Sequence, residues 1–111
     1  MIDRPTESWR RLGTRPETFL ARVDRALHAF EAELTAADIT SDEAVMAAVE
    51  HVVVALNDVD GTDGADFDTI DREELCEYID RALRGAGVDV EALARRQGLD
   101  PAALTDRWRD W

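Results

Sequence analysis

Three features of this chain predict an all-α fold, a single compact bundle of about five helices. Apolar residues recur at steps of three and four, the period of one helical face packed on a partner. Capping patterns of Thr, Asp and Glu precede the apolar runs. The chain has 111 residues, 45% of them hydrophobic, which suits one globular domain with a core of its own.

Residues 1–15 show no apolar stripe and are expected to be an irregular N-terminal segment. From Pro16, the stripe Leu20, Val23, Leu27, Phe30 and Leu34 predicts a first helix, with Pro16 in its first turn and Glu17 at the positive end of its dipole. Thr40 and Glu43 form a capping-box pattern before the broad band Val45, Met46, Val49, Val52, Val53 and Leu56. The run "VVVAL" also fits a buried strand, but its continuity with an Ala-rich helical segment favours helix, and so wide a band implies a central one. The band can be buried within one chain or in a homodimer. Asp71 and Glu74 offer a third start, with Leu75, Ile79, Ala82 and Leu83 facing the core and Gly85 and Gly87 ending the helix. A short helix "DVEALARRQ" stops at Gly98. The last helix starts with Asp100 as N-cap and Pro101 in the first turn, and it runs to Trp108 and Trp111.

The net charge of −12 is concentrated in the middle. Residues 38–80 hold fourteen acids against one arginine, Arg72, while the segments before and after are nearly balanced. Such a block repels nucleic acid and membrane surfaces and attracts cations and basic partners. All basic residues are arginine, as a GC-rich bacterial coding sequence would give. No run reaches the roughly 18 apolar residues of a membrane span. With no secretory h-region and one cysteine, Cys76, a cytoplasmic location is expected.

The stretch "DVDGTDGADFDTIDREEL" lies between two helices, as a calcium loop would. An EF-hand needs oxygen ligands at positions 1, 3, 5 and 9, Gly at 6, an apolar residue at 8 and Glu at 12. A start at Asp58 puts Asp63 at position 6 and Thr69 at 12; a start at Asp60 puts Gly64 at 5 and Ala65 at 6. Neither register fits, so no metal or other cofactor is expected. A lengthened loop with Asp58, Asp60, Asp63 and Glu74 around calcium is the alternative.

In "EALARRQGLDPAALTDRW", the spacing of Ala94, Gly98 and Leu104 resembles the helix-turn-helix unit of bacterial repressors. A recognition helix would place its N-terminal part against base edges and phosphates. Here that part carries Asp100 and Asp106 and has no arginine before Arg107. Arg95, Arg96 and Arg107 are the DNA-contacting residues of this alternative, which the net charge disfavours.

No catalytic constellation emerges. His28 and His51 flank apolar stripes, Cys76 lies near Ile79 and Leu83, and Glu73, Glu74 and Glu77 lack a partner base. Two stretches, "DTIDREELCEYID" and "WRDW", resemble a pattern in small uncharacterised bacterial helical proteins. That pattern has an E-T-x-E-R-E-E-L-C helix start and a C-terminal W-R-E-W. Asp68 and Asp71 stand where it has Glu, and the resemblance implies a compact helical protein without implying an activity. The expected function is therefore non-enzymatic: an acidic module, such as an inhibitor or immunity-type protein or an adaptor, binding a basic protein partner. Its contact residues are Asp58, Asp60, Asp63, Asp66, Asp68, Glu73, Glu74 and Glu77, with Trp108, Arg109 and Trp111 as an aromatic anchor unless the tryptophans close the core.

Overall fold

A proline at the first helical position and a glycine just past the last bracket a helix within the segment expected to be irregular. In the computed structural model, which describes residues 3–111, α1 spans Pro5–Leu12, and Gly13, at φ 67°, returns its N–H to the carbonyls of Trp9 and Arg10. Residues 1–2 of that segment lie outside the described residues. Only Pro5, Thr6 and Trp9 of α1 are buried, too short a pattern to stand out as a periodicity.

The other helices are α2 (Glu17–Ala36), α3 (Asp42–Val59), α4 (Thr69–Gly85) and α5 (Val90–Arg96), with 3-10 turns at Thr62–Gly64 and Pro101–Ala103. Among the described residues the bundle is all-α with five α-helices, as the sequence predicts, but the set differs. Helix α1 is an addition, and the C-terminal helix expected from Asp100 is reduced to one 3-10 turn followed by turns. Asn57 accounts for this. Its Nδ2 donates to the Trp108 carbonyl at 2.7 Å, and its Oδ1 accepts from Asp110 N–H at 2.8 Å, so the tail's backbone groups are held by α3 instead of by a helix of their own.

Two helix starts are also displaced from their expected positions. Ser41, not Thr40, caps α3, accepting from Ala44 N–H at 3.2 Å, while the Thr40 hydroxyl donates to Asp38. The capping box of α4 joins Asp68 and Asp71 instead of Asp71 and Glu74: Asp71 N–H donates to Asp68 Oδ1 at 2.8 Å and Asp68 N–H to Asp71 Oδ2 at 3.0 Å. The Glu74 carboxylate instead accepts from the Trp9 indole at 3.2 Å.

Helices α2 and α3 form the centre of the core. Phe19, Leu20, Val23, Leu27 and Phe30 pack with Val45, Val49, Val52, Val53 and Leu56, and α4 and α5 add Leu75, Ile79, Leu83, Val90 and Leu93. The wide band of α3 is buried within one chain, with Val54 left 42% exposed. "VVVAL" is helix throughout. Phe67, from the acidic connection, closes one end. Its ring lies 5.4 Å from Phe19, 6.3 Å from Trp9 and 5.8 Å, edge-on, from Trp111, all spacings of attractive aromatic pairs. The radius of gyration, 13.7 Å, is that of a compact domain of this length. Among the described residues no helix is long and apolar enough to cross a membrane.

Candidate functional site

The acidic connection is built mainly from bonds to its own fold. Asp60 Oδ1 accepts from Phe67 N–H at 2.8 Å, which fixes the buried ring. Gly61, at φ 86°, and Asp63, at φ 55°, make the sharp turn, closed by Gly61 N–H to the Ala65 carbonyl at 2.9 Å. Asp63 pairs with Arg22 of α2 at 3.2 Å. Arg15 reaches both carboxylates of the capping box, at 3.3 Å from Asp68 and in closer contact with the buried Asp71. The N–H of Asp71 holds the Asp68 carboxyl below its ordinary range, with Arg15 contributing further.

The expected contact residues therefore divide. Asp60, Asp63, Asp68 and Glu74 are engaged inside the fold, and Glu77 pairs with Arg81 at 3.3 Å. Asp58, Asp66 and Glu73 are exposed and have no ion pair among the described residues. Of the four calcium ligands in the alternative, Asp60, Asp63 and Glu74 already serve a backbone N–H, an arginine and an indole. Among the described residues no three His, Cys, Asp or Glu side chains group to hold a metal ion.

Arginines from outside the acidic third account for much of this pairing. Besides Arg15 and Arg22, Arg96 of α5 grips Asp42 at 2.6 and 2.8 Å and lowers the pKa of that carboxyl. Of the three arginines of the DNA-binding alternative, Arg96 is thus committed to α3, and the would-be recognition helix is the 3-10 turn. Arg95 and Arg107 are exposed, with Arg107 lying over the Trp108 ring at 5.4 Å. Trp111 is buried and donates to the Val53 carbonyl at 3.4 Å, so it closes the core and is not presented to solvent. Arg109 stacks on Trp111 at 5.3 Å and reaches Cys76 Sγ at 3.1 Å, which leaves the half-buried Trp108 as the remaining aromatic of the expected anchor.

Two surfaces emerge that the sequence did not reveal. The first is the outer stripe of α3. Glu43, Glu50, Val54 and Asp58 lie on one helical face and are exposed, and the three acids have no ion pair among the described residues. The second is a groove of about 750 Å³ between the C-terminal halves of α2 and α4. At one end, Arg4 makes a two-pronged pair with Glu31, at 3.0 and 2.8 Å, and the Tyr78 hydroxyl donates to the same carboxylate. Arg4 holds the Glu31 carboxyl below its ordinary value, while burial and Glu31 push the Tyr78 phenol well above its own. The sequence did carry a signal for this network: Tyr78 follows Leu75 by three on the core face, and a buried phenol needs an acceptor. Which carboxylate answers depends on how α2 packs against α4.

Known protein families, curated proteins and solved structures offer no match to this chain.

Proposed function

We propose that the protein is a non-enzymatic binding module that docks a basic protein partner on the outer face of α3 and the connection after it. The observation carrying this reading is the distribution of charge that remains after internal pairing. Three arginines brought in from other segments engage four of the acids: Arg96 pairs with Asp42, Arg22 with Asp63, and Arg15 is shared by Asp68 and Asp71. Glu43, Glu50, Asp58, Asp66 and Glu73 stay exposed without a counter-charge among the described residues. The net charge of −12 adds a long-range field that speeds encounter with a basic surface, contributing on-rate and selectivity more than raw affinity. An inhibitor or immunity-type role is one concrete form of the same reading, offered by analogy.

The test is retention from a lysate of the source cells at low salt, comparing the wild type with Glu43→Arg/Glu50→Arg/Asp58→Arg. The expected result is a basic protein held in near-stoichiometric amount by the wild type, released at high salt and lost with the variant. A stoichiometric partner that ignores the three reversals would move the contact elsewhere, and a retained acidic partner would overturn the reading.

A further inference from the structure

Helix α1 is fastened to the bundle by side chains alone. Among the described residues, none of its backbone groups bonds to backbone outside residues 4–13. Its apolar anchor is one ring, Trp9, 3% exposed, whose indole donates to Glu74. Pro5 and Thr6 are the other buried residues of α1, and Leu12 is 70% exposed. Ordering a helix costs conformational entropy at every residue, and one of eight residues does not persist in water unaided. So narrow an apolar contact leaves α1 weakly held.

Charge completes the attachment. Glu17, Asp24 and Glu31 recur every seven residues and so line one face of α2. Arg10 pairs with Glu17 at 2.9 Å and with Asp24 at 2.7 Å, Thr6 donates to Asp24, and Arg4 pairs with Glu31 at 2.8 Å. Helix α1 therefore runs back along α2 with its arginines on a row of carboxylates. From Arg4 to Leu12 it carries three arginines against one acid, on a molecule of net charge −12. Water reaches these pairs: the Glu17 side chain is 70% exposed, and the other three lie between 22 and 35%. Pairs so placed contribute little each and are screened by salt. The connection to α2 provides a hinge. Gly13 is left-handed at φ 67°, while Arg15, two residues on, grips Asp68 and Asp71 and pins the far side.

We infer that α1 is a releasable strap, which lifts from the bundle about Gly13 and unwinds while α2–α5 stay folded. Lifting frees the carboxylates of Glu17, Asp24 and Glu31, so α1 competes from within the chain with a basic partner. The competition rests on the basic-partner reading; the lifting does not.

The first measurement is native-state hydrogen exchange on the whole chain. Amides of residues 9–13 should exchange roughly a hundredfold faster than those of Val49, Val52 and Leu75. Raising salt from about 0.05 to 0.5 M should speed them further without loosening α3, and Arg4→Gln/Arg10→Gln should do the same at low salt. The second measurement is an anisotropy titration with a labelled lysine–serine peptide. It compares Arg4→Gln/Arg10→Gln with Arg25→Gln/Arg95→Gln, which has the same net charge but alters exposed arginines that make no ion pair among the described residues. The first variant should bind the peptide severalfold more tightly than the second. Exchange of residues 9–13 in step with the core would overturn the strap and leave the basic-partner reading intact. Fast exchange with equal peptide binding by the two variants would overturn the competition. Absence of salt-sensitive peptide binding by any of the proteins, with fast exchange in α1, would overturn the basic-partner reading and leave the strap.

Discussion

Phe67 reverses the meaning of the residues around it. Read as charges, "GADFD" is solvent-facing; in the fold it delivers a ring that is 1% exposed between Phe19, Trp9 and Trp111, with Asp60 holding its backbone. Phe67→Ala should cost about 3–5 kcal/mol in urea unfolding, the range for a buried aromatic, because the surrounding rings come from separate segments and cannot collapse together. The same commitment of loop carboxylates bears on cations. Excess calcium and excess magnesium, at fixed ionic strength, should shift the thermal midpoint equally, and a large calcium-specific rise would show a site that these bonds conceal. Titration should reveal the Arg4–Glu31–Tyr78 network from both sides. The folded-state pKa of Glu31 is lowered, so its contribution is present above about pH 4 and fades as pH falls through the folded value. That of Tyr78 is raised, so its contribution is complete below about pH 10 and is lost as pH climbs toward the folded value. Stability measured by denaturant against pH should fall at both ends, and Tyr78→Phe should remove the alkaline fall while leaving the acid one through Asp42, Asp68 and Glu91.

At the scale of elements, legibility tracked length and period. Helices α2, α3 and α4 were readable because their apolar stripes run for several turns. Helix α1 has little more than two turns and one buried aromatic, and α4 starts earlier than expected because Asp68 has a bond partner in Asp71 on both backbone and side chain. The tail departs from its local pattern for a different reason. "DPAAL" is a sound helix start, but the path of the chain beyond it is decided by Asn57, 51 residues away from the carbonyl it holds. Local propensity cannot anticipate a competitor that distant. The candidate site was legible as charge and not as geometry: the acidic third was visible, but which acids stay free depended on arginines from other elements. Asn57→Ala should free the tail, lowering stability by about 1–3 kcal/mol for hydrogen bonds lost at a partly buried site. The accompanying sign is a red shift in tryptophan emission, as Trp111 leaves the cluster it shares with Phe67.

For the molecule as a whole, two electrostatic effects of different range compete. The ion pairs are contacts, such as Arg96 to Asp42 at 2.6 Å and Arg10 to Asp24 at 2.7 Å. The self-repulsion of twelve excess negative charges acts over the 39 Å length of the bundle. Salt near 0.15 M screens beyond about 8 Å, so it removes the repulsion far more than the contacts. The thermal midpoint should therefore rise between very low salt and about 0.15 M. A fall over that range would mean that the pairs, and not the excess charge, dominate the balance.

The aromatic cluster also sets an order of events in time. The α2–α3 hairpin joins neighbours in sequence and is free to form as soon as those two helices exist. The cluster cannot, because its links bridge long spans of chain: Trp9 meets Glu74 across 65 residues, and Trp111 meets Val53 across 58. Closing loops of that length costs entropy before any contact repays it. The hairpin is accordingly the expected folding nucleus and the seal at Phe67 a late event, so in stopped-flow kinetics substitutions in the cluster should speed unfolding while those in the hairpin should slow folding.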